Sequence, residues 1–143
     1  MPKGKSSIVV NVPVEKVWAL FDDVEKLPDW MSLMTEVSDI QGQGVGSTYN
    51  WTYKFMGVPF KGTTKVLEEV PNKKRVVKSE GGISSTWTWE FEPVEGGTKI
   101  SVMVEYGVPG QVLGKFVEPF VVKQGNRDVA HALDNFKHQL EEL

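Results

Sequence analysis

The chain has 143 residues, 40% of them hydrophobic and 24% charged, which is the composition of one globular domain with apolar material enough for a core that needs neither disulfide nor structural metal. Cysteine is absent and only two histidines occur, which excludes disulfides, thiolate nucleophiles, zinc ribbons and iron–sulfur sites and supplies a side-chain metal site poorly. Sixteen Lys and Arg against nineteen Asp and Glu leave a net charge of −3, which disfavours a nucleic-acid partner, while five Trp, seven Phe and three Tyr make a conspicuous surplus of rings.

Lys3 and Lys5 precede only the short apolar run Ile8-Val9-Val10, too brief for a signal peptide or a membrane span, so the expectation is a soluble, cytoplasmic protein. Ser6 to Val12 is apolar and β-branched and ends at Pro13, which predicts a strand followed by proline at the first position of a helix. Val14, Val17, Trp18 and Phe21 then recur at spacings of three and four, one buried stripe of a short helix. Asp22 and Asp23 oppose the macrodipole at its C-terminal end and predict a break, followed by a second short turn over Glu25 to Leu27 that Pro28 stops. Trp30 falls outside any periodic element.

From Met34 to Tyr106 the period changes to two. Thr48 to Met56 sets Tyr49, Trp51, Tyr53 and Phe55 against Asn50, Thr52 and Lys54, and after a turn at Gly57-Val58-Pro59 the next strand sets Phe60, Gly62, Thr64 and Val66 against Lys61, Thr63 and Lys65. Lys73-Lys74-Arg75, just after Pro71-Asn72, reads as a solvated hairpin turn, and the strand from Arg75 to Glu80 has an ambiguous register. Past Gly81-Gly82, Trp87, Trp89 and Phe91 oppose Thr86, Thr88, Glu90 and Glu92; past Gly96-Gly97, Ile100, Val102, Val104 and Tyr106 oppose Ser101, Met103 and Glu105. The pattern describes an antiparallel meander of about six strands, wet on one side and covered on the other.

The cover has to come from the C-terminal segment. A single helix from Gln111 to Leu143 would run about 50 Å, too long for a domain with a radius of gyration of about 15 Å. Pro119 therefore predicts a short turn over Gln111 to Val117 and a main helix from Pro119 to Leu143, with Val122, Gly125, Val129, Leu133, Phe136, Leu140 and Leu143 along one face and Gly125 allowing close approach to the sheet. Nothing in the sequence marks a repeat, a linker or a second domain, so residues 1–143 are expected to form one α+β unit.

Catalytic candidates are few. Gly42, Gly44 and Gly46 precede a strand and lack the Lys-Ser or Lys-Thr of a phosphate loop, so they read as a hairpin turn. His131 and His138 lie about 180 to 200° from Val129 around the last helix, on its outer side, with Asp134 to His138 as an exposed pair. No two carboxylates share a predicted inner face, which leaves Tyr49, Tyr53, Tyr106, Thr64 and Ser79 as the polar groups of the interior.

Val12-Pro13-Val14-Glu15-Lys16-Val17-Trp18, Leu27-Pro28-Asp29-Trp30, Gly46, Trp87-Thr88-Trp89-Glu90-Phe91-Glu92-Pro93 and Gly96-Gly97-Thr98-Lys99 resemble, in this order over nearly the whole chain, the START-like (SRPBCC) superfamily in the branch named for polyketide cyclases, dehydrases and lipid transport. The resemblance implies a helix-grip fold: a curved antiparallel sheet of six to seven strands wrapped around a long C-terminal helix, with two short helices between the first two strands and a cavity for an apolar ligand. Such a sheet encloses more volume than one helical stripe fills, of ligand size at roughly 300 to 1,000 Å³. The expected lining is Trp51, Tyr53, Phe55, Phe60, Thr64, Ser79, Trp87, Trp89, Val102, Val104, Tyr106, Phe116, Phe120, Gly125 and Val129. The expected function is binding or transport of a lipid, polyketide, isoprenoid or aromatic molecule, with no cofactor, no metal and no nucleic acid, as monomer or dimer. Alternatives are a cyclase, aromatase or dehydratase using the Tyr53 and Tyr106 hydroxyls as proton donors, and a protein-interaction module.

Overall fold

The structure, a computed structural model, describes the backbone of residues 3–31, 34–55, 58–81, 84–107 and 111–142, and the side chains within these except at 3, 55, 58, 106–107 and 111–125. Strand β1 (Lys3–Val10) leads through Pro13 into helix α1 (Val14–Asp22). Pro13 caps α1 from an extended conformation, and its carbonyl accepts from the amides of Lys16 and Val17. The apolar spacing buries Val17, Trp18, Leu20 and Phe21. A 3₁₀ turn (Val24–Lys26) and a four-residue helix α2 (Leu27–Trp30) follow. Pro28 sits in the first turn of α2 and does not stop it; its missing N–H has no intrahelical partner to lose there.

As the first strand and the six-strand meander predicted, the sheet has seven strands: β2 (Met34–Gln41), β3 (Thr48–Phe55), β4 (Val58–Val70), β5 (Lys74–Glu80), β6 (Ser84–Val94) and β7 (Gly97–Gly107) join β1 in the order β1-β7-β6-β5-β4-β3-β2. Every neighbouring pair is antiparallel, so β2 to β7 form a meander that β1 closes on one side. The loop after β2 turns with positive φ at Gly42, Gly44 and Gly46, as expected of a hairpin connection.

The register sets rows of side chains across one face. Glu69 pairs with Arg75, Arg75 with Trp89, Trp89 with Val102; Tyr49 pairs with Thr64, Thr64 with Ser79, Ser79 with Ser85. Helix α3 (Gln111–Glu141) crosses this face and buries Val129, Ala132, Leu133, Phe136 and Leu140. Gly4 of β1 is where α3 comes close, since a Cβ there would collide with the Asn126 side chain. Contrary to the expected break, α3 runs without interruption through Pro119. A proline loses the bond to the carbonyl four residues earlier and crowds that carbonyl with its ring, and a long helix can absorb both with a bend.

The core is gathered at one end of the sheet, where Val10, Phe91, Ile100, Val102 and Val104 meet α1 and α3. Trp30, outside every sequence period, is a centre of this core at 1% exposure, with its ring 4.4 Å from Phe136 and edge-on to Trp89 at 5.9 Å. Among the described residues no helix is long and apolar enough to cross a membrane.

Candidate functional site

Toward the other end the sheet curves away from α3 and leaves a cleft of about 610 Å³. Its floor is the face of β3 to β6 and its rim is built from the end of α1, the 3₁₀ turn and the Gly42–Ser47 loop; Asp128, Val129 and Ala132 of α3 form the opposite wall. Tyr49, Trp51, Tyr53 and Trp87 stand in it only half-buried, and Phe60 at the edge is 37% exposed. Trp87 stacks on Trp89 at 6.0 Å with 11° between the planes, and Trp51 meets Tyr53 edge-on at 6.3 Å. Trp51 can lie across β4 because its partner there is Gly62, where a Cβ would overlap the indole and the Glu80 carbonyl.

The polar groups on this floor are tied to one another. The Trp51 indole N–H donates to Thr64 Oγ1 at 3.0 Å, Thr64 and Ser79 share a hydrogen bond of 2.6 Å, and the Trp87 N–H donates to Ser85 Oγ at 2.8 Å. Tyr53 donates its hydroxyl proton to Asp128 Oδ2 at 3.1 Å. Burial pushes the Tyr49 phenol pKa up, against the opposing pull of the Thr64 hydroxyl and the Arg75 charge, so the phenol stays protonated at neutral pH.

Two expectations are corrected here. Arg75 is not part of a solvated turn: it is 6% exposed and lines the cleft, its Nε donating to Glu69 Oε1 at 2.7 Å and its terminal nitrogen contacting both Asp22 and Glu69. The guanidinium carbon lies 4.9 Å from the Trp18 ring and 4.8 Å from the Phe21 ring. The cleft is also not free of carboxylates: Glu69 and Asp128 line it half-buried, and Asp22, Asp23 and Glu25 stand at its exposed rim. Glu69 reaches it because a bulge sets Leu67 and Glu68 together against Val76, so alternation changes face between Val66 and Glu69.

Of the expected lining, Trp51, Tyr53, Phe60, Thr64, Ser79, Trp87, Trp89 and Val129 stand in the cleft. Val102 and Val104 lie instead in the solid core, where α1 and α3 cover β7. Phe55, Tyr106, Phe116, Phe120 and Gly125 lie outside the residues whose side chains are described. His131 and His138 are exposed as expected, but His138 pairs with Glu142 at 3.1 Å, not with Asp134. Among the described residues no group of His, Asp and Glu is placed to hold a metal ion.

The family model for polyketide cyclase/dehydrase and lipid transport matches residues 1–141. Among solved structures, the protein TTHA0849 of Thermus thermophilus superposes with a TM-score of 0.87 at 19% identity, covering 99% of this chain and 98% of its own. The ZhuI aromatase/cyclase of a Streptomyces species superposes with a TM-score of 0.80 at 14% identity, covering 97% and 93%. A Deinococcus radiodurans protein does so with a TM-score of 0.72 at 18% identity over the full length of both chains. At these identities the likeness is one of fold. Among curated proteins none matches the sequence.

Proposed function

The chain belongs to the polyketide cyclase/dehydrase and lipid transport family, and we propose that its cleft binds or carries a small apolar molecule, flat or extended, along Trp51, Trp87 and Trp89. One observation carries this reading. A space of about 610 Å³, the size of a small-molecule site, is bounded by four large rings that the protein itself leaves half-buried. Rings that served only as core would be covered, as Trp30 and Phe91 are. The hydroxyls of Thr64, Ser79 and Tyr53 would orient one polar end of the guest. Native mass spectrometry of the freshly purified protein, followed by titration with N-phenyl-1-naphthylamine, tests it: saturable probe fluorescence is expected, weakened about tenfold or more in Trp51→Ala. Absence of saturable binding, or a Trp51→Ala protein that binds as well as the parent, removes the reading.

A cyclase- or dehydratase-type reaction is the second reading. What favours it is the Tyr53 hydroxyl on the Asp128 carboxylate at 3.1 Å inside the cleft, a donor and acceptor placed to pass a proton to a bound chain. Positioning by the cleft would supply the rest. Unchanged product distribution from a reactive poly-β-ketone substrate with Tyr53→Phe would count against it.

A further inference from the structure

Resting on the binding reading above, we propose that the cleft takes an apolar ligand with a neutral or basic head group and excludes one with an acidic head, and that Asp22 and Glu69 set this preference by saturating Arg75. The described lining carries five carboxylates, those of Asp22, Asp23, Glu25, Glu69 and Asp128, and one cation, Arg75; Lys26 stands 3.8 Å from Asp23, and the cleft still carries more acid than base. An acidic head group would have to find its counter-charge at Arg75. That guanidinium is already engaged: Nε is held by Glu69 at 2.7 Å, the terminal nitrogen meets Glu69 and Asp22, and the rings of Trp18 and Phe21 lie against it. To bind there, an incoming carboxylate must displace one of the two resident ones. Displacing Glu69 would strand a carboxylate that is 14% exposed, and displacing Asp22 would set two acids side by side.

A basic head group meets the opposite conditions. The carboxylates attract it, and the partly exposed rings of Trp51 and Trp87 can take a cation against their π-systems. A neutral hydroxyl head needs no counter-charge and can exchange hydrogen bonds with Thr64, Ser79 or Ser85. Asp22 belongs to the rim and is 56% exposed, so it can be altered without touching the core. It is a specificity-determining residue on this view, acting on the ligand through the guanidinium it neutralises.

Three probes with one tail test the preference: dodecylamine, dodecanol and dodecanoate, each below its aggregation concentration at neutral pH, followed by tryptophan emission and by displacement of N-phenyl-1-naphthylamine. The amine and the alcohol should saturate, the amine at least as tightly, and dodecanoate should bind at least about tenfold more weakly than the alcohol. In Asp22→Asn, which leaves one edge of Arg75 open, the ratio of dodecanoate to dodecanol affinity should rise several-fold. Dodecanoate binding as tightly as dodecanol to the parent protein overturns the inference and leaves the binding reading intact. An acid-to-alcohol ratio unchanged by Asp22→Asn overturns the role given to Asp22. Failure of all three probes to saturate overturns the binding reading and this inference with it.

Discussion

Arg75 holds the most demanding position of any single side chain in the cleft. A buried guanidinium is tolerable only while its counter-charges stay in place, and the two that hold it differ in surroundings: Glu69 is 14% exposed and Asp22 56%. Removing the cation leaves the Glu69 carboxylate without its partner in a half-dry site, so Arg75→Ala should cost about 3 kcal/mol or more in urea unfolding. Asp22→Asn breaks only the solvent-facing contact and should cost no more than about 1 kcal/mol. Equal costs would mean that Arg75 is solvated and that the cluster does not organise this end of the cleft. Part of the cluster was legible in the sequence. Alternation along β5 puts Arg75 on the same face as Val77 and Ser79, but its place after Lys73-Lys74 made the triplet look like one solvated turn. Glu69 was not legible, because the bulge that carries it across faces is a property of the pairing with β5 and leaves no mark in the composition.

At the scale of elements, strands with one buried face announced themselves. Tyr49, Trp51 and Tyr53, then Trp87, Trp89 and Phe91, alternate with polar residues and fall on the inner face without exception among the described side chains. The lining was misjudged where the sequence carries no depth: Val102 and Val104 share a face with Trp89, but α1 and α3 cover that part of it. Trp30 was missed for the opposite reason, since a four-residue helix is too short to show a period. Helix α3 is the clearest conflict between local preference and tertiary demand. A proline within a helix is worse than alanine by about 3 kcal/mol, yet α3 continues through position 119. Pro119→Ala should therefore stabilise the protein by about 1 to 3 kcal/mol in denaturant unfolding, with helical ellipticity preserved or raised. A loss of stability would show that the proline starts a helix there, as its rigid φ would favour.

At the scale of the whole molecule the sheet is divided between two tasks. Where β1, β7 and β6 lie under α1 and α3, the side chains are covered and the core is solid, with Phe136 and Ile100 fully buried. Where β3, β4 and β5 curve away, the rings stay partly exposed and the cleft remains. Stability and recognition are then separable by position. Phe136→Ala should cost about 3 to 5 kcal/mol, the usual penalty for emptying a filled core site, whereas Trp87→Ala enlarges a space that is already open and should cost clearly less. Ligand linkage should reverse the ranking. An alcohol or amine at about a hundred times its dissociation constant adds about 2.7 kcal/mol to the parent; Phe136→Ala should keep most of that increment and Trp87→Ala should lose most of it. Thermal unfolding of the three proteins with and without dodecanol reads both effects in one experiment, and an increment lost equally in both variants would mean that core and cleft are one continuous body, with no site set apart for a guest.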